Sequence, residues 1–111
     1  MDAGRRVCPR YHKAIELIGR RWTGAIIGAL MDGPRRFTEI LGSIGGLHDR
    51  LLSERLKELE IEGIVERKVY PEIPVRIEYG LTEKGKDLER VVSEVQRWAD
   101  SWSTAPTQVL Q

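Results

Sequence analysis

One cysteine, Cys8, stands directly before Pro9, with Arg5, Arg6 and Arg10 close by in the chain. Proline suits the first position of a helix, so the thiol falls at a helix N-terminus. The positive end of the helix dipole and the neighbouring cations both favour thiolate, the form that attacks oxidants and electrophiles. Because the chain has a single cysteine, any disulfide must join two subunits or capture a small thiol. The same residue also fits the ordinary role of a free cysteine, a small hydrophobe packed at an interface. Both readings stay open at this level.

Other chemistries find little support. The two histidines, His12 and His48, together with Cys8 and no C-x-x-C pair, do not make a tetrahedral metal set. Gly42-Ser43-Ile44-Gly45 has the spacing of a nucleic-acid-clamping GxxG loop but lacks the strand and helix around it. No nucleophile triad, carboxylate pair or phosphate-cradling loop stands out, so neither an enzyme, a cofactor nor a metal is expected.

A second set of side chains is suited to reading a polyanion. If Leu52, Leu56 and Leu59 face a core at helical spacing, Arg50, Ser53, Glu54 and Lys57 turn outward. An arginine fork matches O6 and N7 of guanine, so Arg50 is the candidate base reader. Ser53 and Glu54 would meet neighbouring bases and Lys57 a phosphate. Arg35 and Arg36 are phosphate candidates from the preceding turn, and a hairpin further on offers Lys68 and Arg76. Arginine is drawn to a narrow minor groove by its negative potential, the role expected for Arg76. The competing reading of Arg76 is an ion pair with Glu66 or Glu72, and that of the helix face is a solvated surface with an Arg50–Glu54 pair.

These residues need elements to hold them. The spacing of Tyr11, Ala14, Ile15 and Ile18 predicts a helix over 8–19, and Trp22, Ile26, Ile27 and Leu30 predict another over 22–31. Asp32-Gly33-Pro34 is a firm stop. A short helix is expected over 37–44, broken by Gly45-Gly46, then a longer one from His48 or Asp49 to Glu62, closed by Gly63. Two helices across a glycine turn, the second polar on its outer side, form a helix-turn-helix pattern. The period then becomes alternating from Val65 to Leu81, interrupted by Pro71-Glu72-Ile73-Pro74, which reads as a hairpin with a proline-bounded tip. Thr82 caps a last helix along which Leu88, Val91, Val95, Trp98 and Trp102 recur at three, four, three and four residues, a heptad-like seam.

In this order the segments resemble the HxlR-type regulators. The resemblance is carried by Cys8-Pro9, Ile15-Glu16-Leu17-Ile18-Gly19 with Trp22, and Gly33-Pro34-Arg35-Arg36-Phe37-Thr38-Glu39-Ile40. It continues through Leu51-Leu52-Ser53-Glu54-Arg55-Leu56-Lys57-Glu58-Leu59-Glu60 and Gly63-Ile64-Val65. Its strongest piece is Val69-Tyr70-Pro71-Glu72-Ile73-Pro74, Arg76-Ile77-Glu78-Tyr79 and Leu81-Thr82-Glu83-Lys84-Gly85, so that it spans roughly residues 8 to 102. The resemblance implies a dimeric winged helix-turn-helix transcription factor, often a repressor, in which an N-terminal cysteine in several members answers oxidants or electrophiles. His48 stands where these proteins often carry Ser or Thr, so either Asp49 caps the recognition helix or His48 faces DNA.

The bounds agree with one small domain, mainly α with a β-hairpin wing. The 111 residues leave room for one core, with 41% hydrophobic and 32% charged residues and a formal net charge of +1. That charge is low for a DNA binder, so the placement of charges carries the argument. A flexible arm is expected over 1–7, the domain over 8–102 and a disordered tail over 103–111. No apolar run spans a bilayer and no secretory signal is read, so a cytoplasmic protein without a membrane partner is expected. Tyr11, Ile15 and Ile18, with the seam from Leu88 to Trp102, are the expected homodimer interface. The expected partner is double-stranded DNA carrying an inverted repeat, with a small molecule or electrophile as inducer. The alternative is a winged-helix dimer serving mainly as a small-molecule receptor or protein-interaction module.

Overall fold

The helices up to the hairpin start and stop largely on local backbone chemistry, and the hairpin lies between the fourth and fifth helices. The computed structural model describes residues 6–103. Residues 1–5 and 104–111, which hold most of the expected arm and tail, lie outside the described residues.

Helix α1 (Pro9–Ile18) starts at its proline, with Cys8 in extended conformation as the capping residue. Helix α2 (Thr23–Ala29) begins one residue later than expected. Trp22 adopts a left-handed backbone, φ 77°, which a helix cannot include. Helix α3 (Phe37–Ser43) is started by Glu39, whose carboxylate accepts the Arg36 backbone N–H at 2.8 Å. Helix α4 (Asp49–Ile61) follows, with His48 as its cap.

The end of α4 is a complete Schellman turn. The Ile64 N–H reaches the Leu59 carbonyl at 2.9 Å and the Gly63 N–H reaches Glu60 at 3.0 Å. Gly63 supplies the positive φ of 76° that this closure needs. Leu59 and Ile64 are both fully buried there, and the chain leaves directly into the hairpin.

Strands β1 (Val65–Tyr70) and β2 (Arg76–Leu81) pair antiparallel, from Val65 opposite Leu81 to Tyr70 opposite Arg76. Arg35 adds an isolated antiparallel bridge to β2: its N–H donates to the Tyr79 carbonyl at 2.9 Å and its carbonyl accepts from Tyr79 at 2.8 Å. The hairpin is thereby stitched to the turn before α3. A single core, with Ile26, Ile27, Leu30, Ile40, Leu52 and Leu56 at its centre, joins α2, α3 and α4. The architecture is an α-rich winged helix.

The C-terminal segment departs from the continuous helix expected from Thr82. It forms a single turn, α5 (Glu83–Lys86), and then α6 (Glu89–Trp102). At the junction the Leu88 N–H bonds the Gly85 carbonyl, a three-residue closure rather than the helical four. The reason is tertiary. Thr82 Oγ1 donates to the Gly63 carbonyl at 2.5 Å and accepts from the Gly85 N–H at 3.1 Å, while Lys84 Nζ reaches the Glu62 carbonyl at 2.6 Å. A Cβ on Gly85 would lie 2.2 Å from the Ile64 carbonyl oxygen. The first turn is clamped to the end of α4, and α6 starts afresh from Leu88. The described chain is elongated, 62 Å by 34 Å by 23 Å.

Candidate nucleic-acid interface and thiol

The outer face of α4 is built by its inner one. Leu52, Leu56 and Leu59 are essentially inaccessible, which leaves Asp49, Arg50, Ser53, Glu54 and Lys57 exposed on the opposite side. Between the two expected starts, the helix takes His48 as the cap without a side-chain hydrogen bond, and Asp49 occupies the first turn near the positive dipole end. The Arg50 side chain is 93% exposed, with Nε 3.5 Å from a Glu54 carboxylate oxygen. Such an exposed (i, i+4) pair holds the fork loosely and yields to a stronger acceptor.

The expected wing residues separate into two kinds. Lys68 is exposed, with Nζ 3.8 Å from Glu66. Arg76 is half-buried and already partnered: it donates to Glu72 at 2.9 Å, to Glu78 at 2.5 Å, and lies 3.9 Å above the Tyr70 ring. Of its two expected carboxylate partners Glu72 is realised, while Glu66 lies opposite Gly80. Hydrogen bonding from Arg76 holds the Glu72 carboxyl below the ordinary carboxylate range, and the two carboxylates raise the Arg76 pKa further above its ordinary value. The groove role expected for Arg76 therefore competes with contacts it already makes. Arg35 is also used within the fold, with Nε donating to the Ala29 carbonyl at 2.7 Å at the end of α2. Arg36 is exposed.

Cys8 is exposed at the head of α1, with Arg6 and Arg10 exposed beside it in the chain. Within one subunit it is therefore accessible and not packed. The expected interface residues lie on α1 and α6 and at the Leu88 that caps α6, and neither helix has a fully buried residue. Tyr11, Ile15, Val91 and Val95 are exposed, as are Trp98 at 62% and Trp102 at 75%. Ile18 and Leu88 are half-buried, and Leu88 packs against its own core, so it serves the fold as well as any seam. Between α1 and α6 runs an apolar groove of about 440 Å³ lined by Ile15, Ile18, Ile27, Val91, Val95 and Ala99.

One residue escaped the sequence reading. Arg55 is only 8% exposed. Its Nε donates to the Arg21 carbonyl at 3.0 Å and its guanidinium meets Glu58 at 3.3 Å, while Arg20 reaches the same carboxylate at 3.4 Å. A signal was present, since position 55 lies within the stripe of Leu52, Leu56 and Leu59, where a charge needs a partner.

Among the described residues no group of histidine, cysteine, aspartate and glutamate is arranged to hold a metal, and no helix is long and apolar enough to cross a membrane.

Residues 17–107 match the profile of the HxlR-like helix-turn-helix family. The chain is similar to the HTH-type transcriptional regulator YodB of Bacillus subtilis strain 168, with 52% identity over 99 residues, 89% of this chain and 88% of YodB. A second HTH-type regulator of that strain, YvaP, is 50% identical over 96 residues, 86% of this chain and 89% of YvaP. The structure of reduced YodB matches with a TM-score of 0.80 at 49% identity, covering 92% of this chain and 100% of that one. YodB has also been solved after diamide treatment and with quinone bound. The redox regulator HypR in its oxidised form matches with a TM-score of 0.82 at 36% identity, over 88% of this chain and 100% of that one.

Proposed function

The chain belongs to the HxlR-like helix-turn-helix family, and from that premise we propose a sequence-specific transcriptional repressor that binds an inverted repeat as a homodimer. The observation that carries this reading is the exposed polar face of α4, Asp49, Arg50, Ser53, Glu54 and Lys57, on a helix whose other face is wholly buried. The first residues of such a helix enter the major groove. Arg50 reads a guanine, Ser53 and Glu54 its neighbours, and His48, Lys57, Arg36 and Lys68 approach the backbone. Arg35 and Arg76 brace the wing. Two copies join through Tyr11, Ile15, Ile18, Leu88, Val91, Val95, Trp98 and Trp102, setting their recognition helices about 34 Å apart or a multiple of it.

Control lies at Cys8. An exposed thiol at a helix start is open to oxidants and electrophiles, and the diamide-treated and quinone-bound forms of YodB support the same class of signal. The second reading, a dimer that acts mainly as a small-molecule receptor, is supported by the apolar groove between α1 and α6.

Selection of bound duplexes from a random pool tests the proposal, with reduced protein and again after diamide. The expected result is an enriched palindrome that is lost on oxidation, and retained by Cys8→Ser. A palindrome indifferent to diamide removes the thiol control. No enrichment at moderate salt leaves only phosphate binding and favours the receptor reading.

A further inference from the structure

We propose that Arg55 is a positioning residue for DNA recognition, fixing the angle of α4 against the turn that follows α1. The proposal rests on α4 being the helix that reads DNA.

The turn between α1 and α2 is where the backbone changes sense. Trp22 holds φ 77°, a left-handed conformation that a bulky residue adopts only when its surroundings impose it. The peptide group entering Trp22 is the one whose oxygen accepts the Arg55 Nε–H at 3.0 Å, from 34 positions along the chain. That bond sets the plane of the peptide and so bears directly on the Trp22 φ. The Arg21 guanidinium lies 5.0 Å from the Trp22 ring, and the ring packs against the core.

A second strand of the clasp runs through Glu58. Arg55 and Arg20 both meet its Oε2, at 3.3 Å and 3.4 Å, so α4 and the turn share one anion. Arg55 points inward while Ser53 and Glu54 point outward from the same helical turn. A rotation or slide of α4 that moved Ser53 against a base edge would strain the contacts that cross to the turn, Arg55 Nε to the Arg21 carbonyl and Arg20 to Glu58. Conversely, a shift of α1, which carries Cys8 and part of the exposed apolar face, reaches α4 through this clasp. A planar fork can hold a carbonyl and a carboxylate together; a lysine ammonium cannot reproduce that geometry.

The experiment compares Arg55→Met and Arg55→Lys with the wild type. Arg55→Met fills similar volume, and Glu58 keeps Arg20 as its partner. Each protein is titrated with its selected duplex and with a scrambled duplex of equal length at one salt concentration. Thermal melting and sedimentation report fold and dimer. The expected result is a folded dimer whose scrambled-duplex affinity stays within about twofold, while its preference for the selected duplex falls about tenfold. Arg55→Lys is expected to fall between. Glu58→Gln, which leaves Arg55 in place, should show a smaller loss of the same kind, and it carries the test if the Arg55 variants do not fold. Unchanged preference in the folded variants overturns the proposal, as does an equal loss on both duplexes, which a merely structural role would produce. A wild-type protein that prefers no duplex overturns the DNA-reading assignment itself, a result distinct from either.

Discussion

Helices α4 and α6 are nearly equal in length, 13 and 14 residues, and both are amphipathic, yet they spend their apolar faces differently. In α4 the apolar side, Leu52, Leu56 and Leu59, is consumed by its own core, which frees the polar side to meet a ligand. In α6 the apolar side, Val91, Val95, Trp98 and Trp102, remains uncovered within one subunit. The first helix offers charge on a rigid backing. The second offers exposed hydrophobic area of the kind that marks an interaction surface. If α4 reads DNA and α6 joins two copies, as proposed, recognition and assembly fall on different helices of this molecule, and the Arg55 contacts link α4 to the α1–α2 turn.

The largest expected effect attacks the buried side of that contrast. Leu56→Ala should cost about 2–5 kcal/mol of unfolding free energy, as a buried leucine does when it leaves a cavity; denaturant melts check it. A loss below 1 kcal/mol would mean that α4 is not backed as described. Next comes the uncovered side. Trp98→Ala with Trp102→Ala should give a folded monomer whose operator affinity drops about 100-fold or more, the scale on which paired binding exceeds single binding. Sedimentation together with duplex titration measures both, and an intact operator-binding dimer would sink the assignment of α6.

Arg50→Ala sharpens the polar face. It should cost about 1–3 kcal/mol and relax specificity at one base position, measured by titration against single-base operator variants. Uniform weakening across all sequences would move Arg50 to a phosphate. The smallest effect lies in the wing. Because Glu72 titrates below an ordinary glutamate in the folded protein, its pairing with Arg76 is fully present above the unfolded carboxylate pKa. It is lost as pH falls through the lowered folded value. A carboxyl titration followed by NMR should therefore give Glu72 a midpoint below ordinary glutamate, and Arg76→Ala should restore it. A midpoint at or above the ordinary value would show that the wing does not hold Arg76 as described.

Much of this was legible in the residues alone. Periodicity located the helical segments and the change to alternation located the hairpin, because both signals depend only on which side of an element is apolar. Gly63 and Thr82 marked their boundaries through local backbone chemistry, and Val65 to Leu81 announced the wing that the structure contains. The exposed face of α4 followed from the same spacing that buried Leu52, Leu56 and Leu59.

What the pattern could not decide is where long cationic side chains are used up. Arg35, a phosphate candidate by its position, also serves the Ala29 carbonyl, and of the two readings open for Arg76, a groove contact or an ion pair, the fold supplies the pair with Glu72 and adds Glu78 and Tyr70. Arg55, Trp22 and the break before Leu88 belong to the same class. Each depends on a partner from elsewhere in the chain: the Arg21 carbonyl 34 positions from Arg55, or the Gly63 carbonyl 19 positions from Thr82. Local periodicity records burial along one element, whereas these contacts exist only once separate elements have been brought together. The sequence by itself determined the elements and their faces; tertiary packing decided which charges remain available to a partner.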